Sequence, residues 1–129
     1  MKFRAIKENH LFSKAYSKGQ RAVTSALAVY VLRDYAASRL AKSDTRKQFK
    51  NRYGFTVSTK IGGAVVRSRC RRILREGVRA LEKRGNVKQG FLVVIAARSA
   101  TPSLKSGDIE KALETAFTKL GMLLQLNTL

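Results

Sequence analysis

Residues 65 to 84 divide between an apolar side and a basic side when they are placed on a helical wheel at about 100° per residue. The apolar side consists of Val66, Cys70, Ile73, Leu74, Gly77, Val78 and Leu81. The basic side consists of Arg69, Arg71, Arg72, Arg75, Arg79 and Lys83, with Arg67 at the boundary. Gly85-Asn86 follows the segment and is typical of a helix end. The pattern predicts a long helix that packs one side on a core and exposes a basic face.

Four arginines at i, i+4 spacing, Arg67, Arg71, Arg75 and Arg79, form an unbroken row of like charge. Like-charge pairs at this spacing destabilise a helix, and a solvated helix face normally mixes the signs of its charges. The whole chain carries 27 Lys+Arg against 8 Asp+Glu, a formal net charge of +19. A polyanion would relieve the repulsion, and guanidinium groups suit bidentate contacts with phosphate. The row therefore favours a nucleic acid partner.

Other features of the sequence exclude several classes of protein. One cysteine, Cys70, excludes a disulfide framework and a cysteine zinc site, and one histidine, His10, excludes a histidine-rich metal centre. No pair of carboxylates is spaced for acid–base catalysis or for holding Mg²⁺, so we expect no catalytic residue and no metal site in the protein.

No apolar run approaches the roughly 18 to 20 residues of a membrane span, and the first residues lack an apolar signal segment. We therefore expect a cytoplasmic protein with no membrane partner and no disulfide-linked partner, in which Cys70 is a small buried apolar side chain.

The rest of the chain alternates between helix and strand patterns. A short helix is expected between Asn9, as its cap, and Gly19, as its stop, and a last helix is expected from Ser106, as its cap. Strands are expected over 22–32, 52–58 and 91–97, with the second antiparallel to the first. The polar and basic residues 33–51 are expected to form a long mobile connection. The order α-β-β-α-β-α predicts a single α/β domain over residues 1–129.

The pair Gly62-Gly63 comes immediately before the basic helix. It would let the backbone approach a phosphate at the helix N-terminus. It would equally suit a tight strand-to-helix turn that needs positive φ. The sequence leaves both interpretations open.

Aromatic side chains are few but grouped. Phe12 and Tyr16 share a helix face, Tyr30 lies on the first strand, and Tyr53 and Phe55 lie on the second. Each of them alone is typical of a core residue. Beside a basic helix they indicate a groove for single-stranded nucleic acid, in which bases stack on aromatic rings.

The segment KIGGAVVRSRCRRILRE at residues 60–76 resembles the signature helix of the bacterial ribonuclease P protein subunits. The likeness extends to FSKAYSKG at 12–19, GFTVS at 54–58 and VVIAAR at 93–98, and so to nearly the whole chain. The resemblance implies an α/β fold with a left-handed βαβ crossover, against the usual right-handed rule. It also implies an RNA-binding subunit of an endoribonuclease that removes the 5′ leader of precursor tRNA. The catalytic centre and Mg²⁺ would then belong mainly to the RNA subunit.

The resemblance further implies which residues contact RNA. The ribonuclease P RNA would be bound by Arg67, Ser68, Arg69, Arg71, Arg72 and Arg75. A cleft between the first helix, the sheet and the signature helix would hold the single-stranded leader, lined by Phe12, Tyr16, Tyr30, Val57 and Lys60. The chain departs from the family at Thr59, where a second lysine is usual, and at Gly63 and Ser68, where asparagine is usual. Serine lacks the paired donor and acceptor of an amide, which alters the contact expected at Ser68.

Two other classes of function compete with this one. Basic domains of this size are common among ribosomal and other structural RNA-binding proteins, which have no tie to a nuclease. A metal-dependent nuclease that acts alone would need clusters of carboxylates, and the sequence lacks them.

Overall fold

Within residues 4–34 and 50–124, which the computed structural model describes, the chain forms three α-helices and five strands. The helices are α1 (Asn9–Lys18), α2 (Ala64–Lys83) and α3 (Ser106–Lys119). The strands are β1 (Arg4–Ala5), β2 (Gln20–Val23), β3 (Leu27–Arg33), β4 (Arg52–Thr56) and β5 (Phe91–Ala97). Short 3₁₀ turns span Thr59–Ile61 and Thr101–Ser103.

The strands of the described residues form one sheet in the order β1-β4-β5-β3-β2. β3 pairs antiparallel with β2 and β5, while β4 pairs parallel with β5 and with the short β1. The parallel neighbours β4 and β5 are joined through α2, which makes a βαβ crossover. The predicted α/β fold is confirmed, and β4 runs opposite to β3 as predicted, with β5 between them. The left-handed sense of this crossover stays a prediction from the family resemblance.

The sheet separates two apolar clusters of unequal size. On one side α2 and α3 cover a large cluster, in which Leu74 and Phe117 are fully buried. On the other side α1 covers a small cluster of Ala15, Leu92 and Val94 with a few neighbours. The central strand β5 contributes to both clusters, which explains its continuous apolar run.

The single strand predicted over 22–32 is wrong, because the chain turns back on itself between β2 and β3. The hydroxyl oxygen of Thr24 accepts the backbone N–H groups of Ala26 and Leu27, each at 3.2 Å. A threonine side chain therefore closes this turn, where glycine, proline or asparagine is more usual.

The predicted helix caps are each displaced by one residue. Asn9 and Ser106 are the first helical residues of α1 and α3 and do not cap them. At the start of α3 the carboxylate of Asp108 accepts the backbone N–H of Lys105 at 3.0 Å. Asp108, in the first turn, thus pairs a backbone N–H at the helix start to which Ser106 makes no hydrogen bond.

The prediction of a mobile connection over 33–51 is wrong for the residues at both ends of that range. Arg33 ends β3, and Asp34 and Asn51 are each only 2% exposed. The Arg52 guanidinium donates two hydrogen bonds to the Asp34 carboxylate, at 2.8 and 3.1 Å, and the Asn51 side-chain oxygen accepts the N–H of Phe91 at 2.9 Å. Buried polar groups persist when they are paired in this way, so both ends are anchored. The rest of the predicted connection, 35–49, lies outside the described residues.

Gly77 lies where α2 packs closely on α3, since a Cβ there would lie 2.5 Å from Cγ2 of Ile109. Gly77→Ala is expected to destabilise the fold by about 1–3 kcal/mol, the usual cost of overpacking. Urea unfolding measures the change. The matched control is Gly107→Ala in α3, where a Cβ would meet nothing within 4 Å. That change is expected to stabilise by up to about 1 kcal/mol, because alanine is the better helix former. A higher midpoint in both variants would contradict the close packing at Gly77.

Candidate nucleic-acid interface

α2 buries its apolar side and exposes its basic side, as predicted. The buried positions are Cys70, Ile73, Leu74, Gly77, Val78 and Leu81. The exposed basic positions are Arg69, Arg72, Arg75, Arg79 and Lys83, while Arg67 and Arg71 are half-buried. Val66 departs from the prediction, since it is 36% exposed. The buried positions begin only at Cys70, so the first turn of α2 extends beyond the core.

Within the described part of the chain, three exposed arginines of α2 have no acidic partner. No hydrogen bond or ion pair joins Arg69, Arg72 or Arg75 to a carboxylate there. Just beyond the helix, by contrast, Arg84 pairs with Glu110 of α3 at 2.5 Å. These three arginines therefore present a concentrated positive field to a polyanion.

The start of α2 is open to an anion. Gly63 provides no side-chain cap, and the first turn has no acidic residue. Gly62 has φ 162°, which is extended backbone that any residue adopts, and Gly63 has φ −71°. The interpretation of this pair as a turn that needs left-handed φ is therefore wrong. Gly62 is instead required by space, since a Cβ there would lie 2.9 Å from Cβ of Val66. The Nε atom of Arg67 is buried and makes no hydrogen bond within the described residues. Contact between a phosphate and this helix start stays a prediction.

Two tyrosines meet on the side of the sheet that α1 covers. The rings of Tyr16 on α1 and Tyr30 on β3 pack edge to face, with centroids 4.7 Å apart. The Tyr16 hydroxyl lies 2.9 Å from Oγ1 of Thr56 on β4, and Tyr16 is 41% exposed. We name Tyr16, Tyr30 and Thr56 the aromatic patch. An exposed ring held by a second ring and a hydrogen bond is a suitable platform for stacking a base.

Phe12 lies one turn before Tyr16 on α1, and its ring covers Gly54 of β4 so closely that a Cβ at Gly54 would collide with it. Phe12 also lines a groove of about 560 Å³ that borders β1 and β4 and reaches α2. We name this the edge groove. Its lining includes Phe12, Gly54, Phe55, Arg71, Arg75 and Arg79.

The remaining predicted site residues lie around the end of β4 and the start of α2. Lys60 is exposed in a 3₁₀ turn, where the hydroxyl oxygen of Ser58 accepts its backbone N–H at 3.2 Å. Thr59 and Ser68 are exposed as well. Val57 is buried, with 9% of its surface exposed. The structure thus brings the aromatic residues together but leaves Val57 little surface to offer a ligand.

The acidic side chains and the one cysteine bear on whether this surface could hold a metal ion or supply a nucleophile. The described residues contain no group of three or more His, Cys, Asp or Glu side chains that could hold a metal ion. In the same ranges, no helix is long and apolar enough to cross a membrane. Cys70 is fully buried, and burial raises the pKa of its thiol against the lowering effect of Arg69 and Arg71. The thiol is therefore a poor nucleophile.

Two residues of this surface were absent from the predicted site. Thr56 is hydrogen-bonded to Tyr16. Its signal is the alternation of side chains in the strand predicted over 52–58, which sets Thr56 on the side opposite Tyr53 and Phe55. Arg79 lines the edge groove, and its signal was the i, i+4 row that it shares with the other arginines.

The chain is similar to known proteins along nearly its whole length. A family model described as Ribonuclease P matches residues 1–121. The ribonuclease P protein component of Clostridium acetobutylicum is 33% identical over 124 residues, which cover 96% of this chain and 94% of that one. The chain belongs to the ribonuclease P protein-component family. The member from Symbiobacterium thermophilum is 32% identical over 118 residues, which cover 92% of this chain and 91% of that one.

Solved ribonuclease P proteins share the fold. The protein from Staphylococcus aureus matches with a TM-score of 0.73 at 22% identity, covering 95% of this chain and 99% of that one. The protein from Thermotoga maritima matches with a TM-score of 0.67 at 17% identity, covering 87% and 93%. Family membership confirms the resemblance that residues 60–76 indicated.

Proposed function

We propose that this chain is the protein subunit of a ribonuclease P ribonucleoprotein, which removes the 5′ leader of precursor tRNA. Family membership supports the assignment of the chain to a ribonuclease P complex. The observation that carries the RNA-binding part is a group of three exposed arginines on α2, Arg69, Arg72 and Arg75, for which the described residues supply no acidic partner. The aromatic patch lies on the opposite side of the same small sheet. Arginines supply contacts to phosphates and an exposed ring supplies stacking, and single-stranded nucleic acid is bound by this combination.

The basic face of α2 is proposed as the surface for the ribonuclease P RNA. The residues assigned to it are Arg67, Ser68, Arg69, Arg71, Arg72 and Arg75. Their exposed guanidinium groups suit bidentate contacts with phosphate oxygens.

The aromatic patch, with Phe12 and Lys60 beside it, is proposed as the site for the leader. A leader is single-stranded, so its bases are free to stack on a ring such as Tyr16. Lys60 adds a positive charge beyond the end of β4. Val57, which the resemblance assigns to the same site, is buried. Mature tRNA has no leader and would not use the patch.

The protein's proposed contribution is to bind and orient RNA, while Mg²⁺ and the catalytic centre are assigned to the RNA subunit. Mg²⁺ prefers oxygen ligands, often carboxylates together with phosphates. The described residues offer no cluster of acidic side chains for it, whereas RNA supplies phosphate oxygens throughout. This role in tRNA maturation corresponds to a cytoplasmic protein.

Reconstitution tests the proposed function. Purified protein is mixed with a bacterial ribonuclease P RNA and precursor tRNA at low Mg²⁺, and cleavage at the 5′ end of the mature sequence is measured. We expect faster cleavage that requires both the protein and the RNA. Cleavage by the protein alone would identify an autonomous nuclease instead. RNA binding without any stimulation would identify a structural RNA-binding protein.

Tyr16→Leu is expected to weaken binding of precursor tRNA to the reconstituted enzyme by about 1–3 kcal/mol, the contribution of one stacked base. Binding of mature tRNA should change little, since it lacks the leader. Equilibrium binding of both RNAs measures the difference, and thermal unfolding of the variant shows whether the fold is intact. Tyr16→Phe is the control, because it keeps the ring and removes only the hydrogen bond to Thr56. Equal losses for precursor and mature tRNA would show that the patch does not bind the leader.

A further inference from the structure

The segment that leads into α2 is apolar and lies at the surface. Residues 61–66, IGGAVV, contain no polar side chain. All six are at least partly exposed, with Val65 at 85% and Val66 at 36%. We name Ile61, Val65 and Val66 the apolar tip. A run of exposed apolar residues of this length is unfavourable on a free protein surface, and it is typical of a surface that contacts a partner.

The apolar tip is held in one arrangement by its neighbours. The hydroxyl oxygen and the carbonyl oxygen of Ser58 accept the backbone N–H groups of Lys60 and Ile61, at 3.2 and 3.0 Å. Val66 packs against Gly62 so closely that a Cβ at Gly62 would lie 2.9 Å from Cβ of Val66. Because the tip is already ordered, little conformational entropy opposes its binding to a partner.

Val65 lies on the same face of α2 as two of the arginines that have no acidic partner. Arg69 and Arg72 follow it at i+4 and i+7, so the three side chains fall within about 60° of one another around the helix axis. The sequence has no Asp or Glu between Asp44 and Glu76. A partner that covers this face must therefore present anionic groups and an apolar surface within about 10 Å of each other along the helix.

RNA meets both requirements where its bases are unpaired. Its phosphates are anionic along the whole strand, whereas the faces of paired bases are hidden in the stack of a duplex. Unpaired bases in loops and bulges expose apolar faces against which protein side chains pack. A second copy of this chain fits less well, because two basic surfaces would then face each other in a protein of net charge +19.

We propose that the apolar tip packs against unpaired bases of the ribonuclease P RNA, with Val65 as its central contact. This inference rests on the proposed function, which assigns Arg69 and Arg72 on the same face to that RNA. It adds an uncharged contact to a surface that otherwise binds phosphates. Phosphate contacts carry no sequence information, whereas packing on an unpaired base requires a particular RNA structure. The apolar tip therefore lets α2 select a single-stranded element of the RNA over a duplex of the same charge.

Val65→Thr tests the contact, because threonine has nearly the shape of valine and a similar helix propensity. We expect the affinity for the ribonuclease P RNA to fall about tenfold, as apolar surface at position 65 is lost. The slope of log K against log salt should not change, since no charge is removed. Equilibrium binding between about 50 and 200 mM salt measures both quantities, and thermal unfolding checks the fold. The matched control is Val23→Thr in β2, which changes a valine that is 41% exposed and should leave RNA binding unaltered.

A photoreactive side chain at the same position identifies the partner directly. Val65 is replaced by an apolar amino acid that carries a diazirine, and the protein is irradiated in the presence of ribonuclease P RNA and precursor tRNA. We expect a crosslink to an unpaired nucleotide of the ribonuclease P RNA. The same amino acid in place of Val23 should not give this crosslink.

Several results would overturn the proposal while leaving the proposed function intact. Val65→Thr would bind the ribonuclease P RNA as tightly as the unmodified protein, or its weaker binding would come with a less steep salt dependence. The crosslink from position 65 would be absent, or it would form with paired nucleotides, with precursor tRNA or with a second copy of the protein. Failure of the proposed function is distinct, since the unmodified protein would then not stimulate cleavage in the reconstitution.

Discussion

Asp34→Ala should destabilise the fold by about 3 kcal/mol, because removing one member of a buried ion pair leaves its partner without compensation. The Asp34 side chain is 3% exposed and the Arg52 side chain is 15% exposed. Arg52 retains a second, weaker contact with Glu8 at 3.6 Å, so the loss lies near the lower end of the usual range. Urea unfolding with the slope held constant measures it.

Glu8→Gln is the control for this pair. Its side chain is 49% exposed, and ion pairs in contact with solvent contribute at most about 1 kcal/mol. A loss in Asp34→Ala no larger than the loss in Glu8→Gln would show that the buried pair does not anchor the ends of the connection.

Replacing Arg69, Arg72 and Arg75 together by glutamine should reduce affinity for the ribonuclease P RNA roughly a thousandfold or more, since hydrogen bonds to charged groups contribute about 1.5–3 kcal/mol each. The dependence of log K on log salt should become less steep by about 2, as three phosphate contacts are lost. All three side chains are exposed. The free protein should be as stable as before or slightly more so, because like-charge repulsion along α2 falls.

A matched triple variant distinguishes the effect of the position of these arginines from the effect of the protein's net charge. Replacing Lys105, Lys111 and Lys119 by glutamine removes the same charge from exposed positions on or next to α3. It should weaken RNA binding far less. Equal losses in the two triple variants would show that the total charge of the protein, and not the position of the arginines, determines affinity.

The elements with long, regular patterns could be predicted from sequence, and those held by single contacts could not. α2 and β5 have the predicted bounds to within a residue, because each repeats one pattern over its whole length. The hairpin between β2 and β3 was missed, since the hydroxyl of Thr24 closes a turn that contains no glycine or proline. β1 was missed because two residues carry no pattern, and its pairing with β4 is decided by the rest of the fold.

The candidate site was predictable in its residue types and less so in its geometry. The wheel separated the arginines of α2 from its core residues, because helical periodicity reports which side of a helix is apolar. Periodicity does not report which strand lies at the edge of a sheet. The contact of Phe12 with Gly54, and the edge groove that follows from it, depend on strand order and could not be derived. The position of Asp34 beside Arg52 likewise joins residues that are brought together only by the sheet.

Because the two apolar clusters differ in size, the two sides of the sheet differ in how easily they open locally. α1 lies over a few buried side chains around Ala15, whereas α2 and α3 enclose the large cluster that includes Leu74 and Phe117. Local opening requires the least free energy where the fewest apolar contacts are broken. The tyrosine that would meet leaders of varied sequence therefore sits on the more compliant side of the sheet. The arginines that would meet a fixed RNA scaffold sit on its stiffer side.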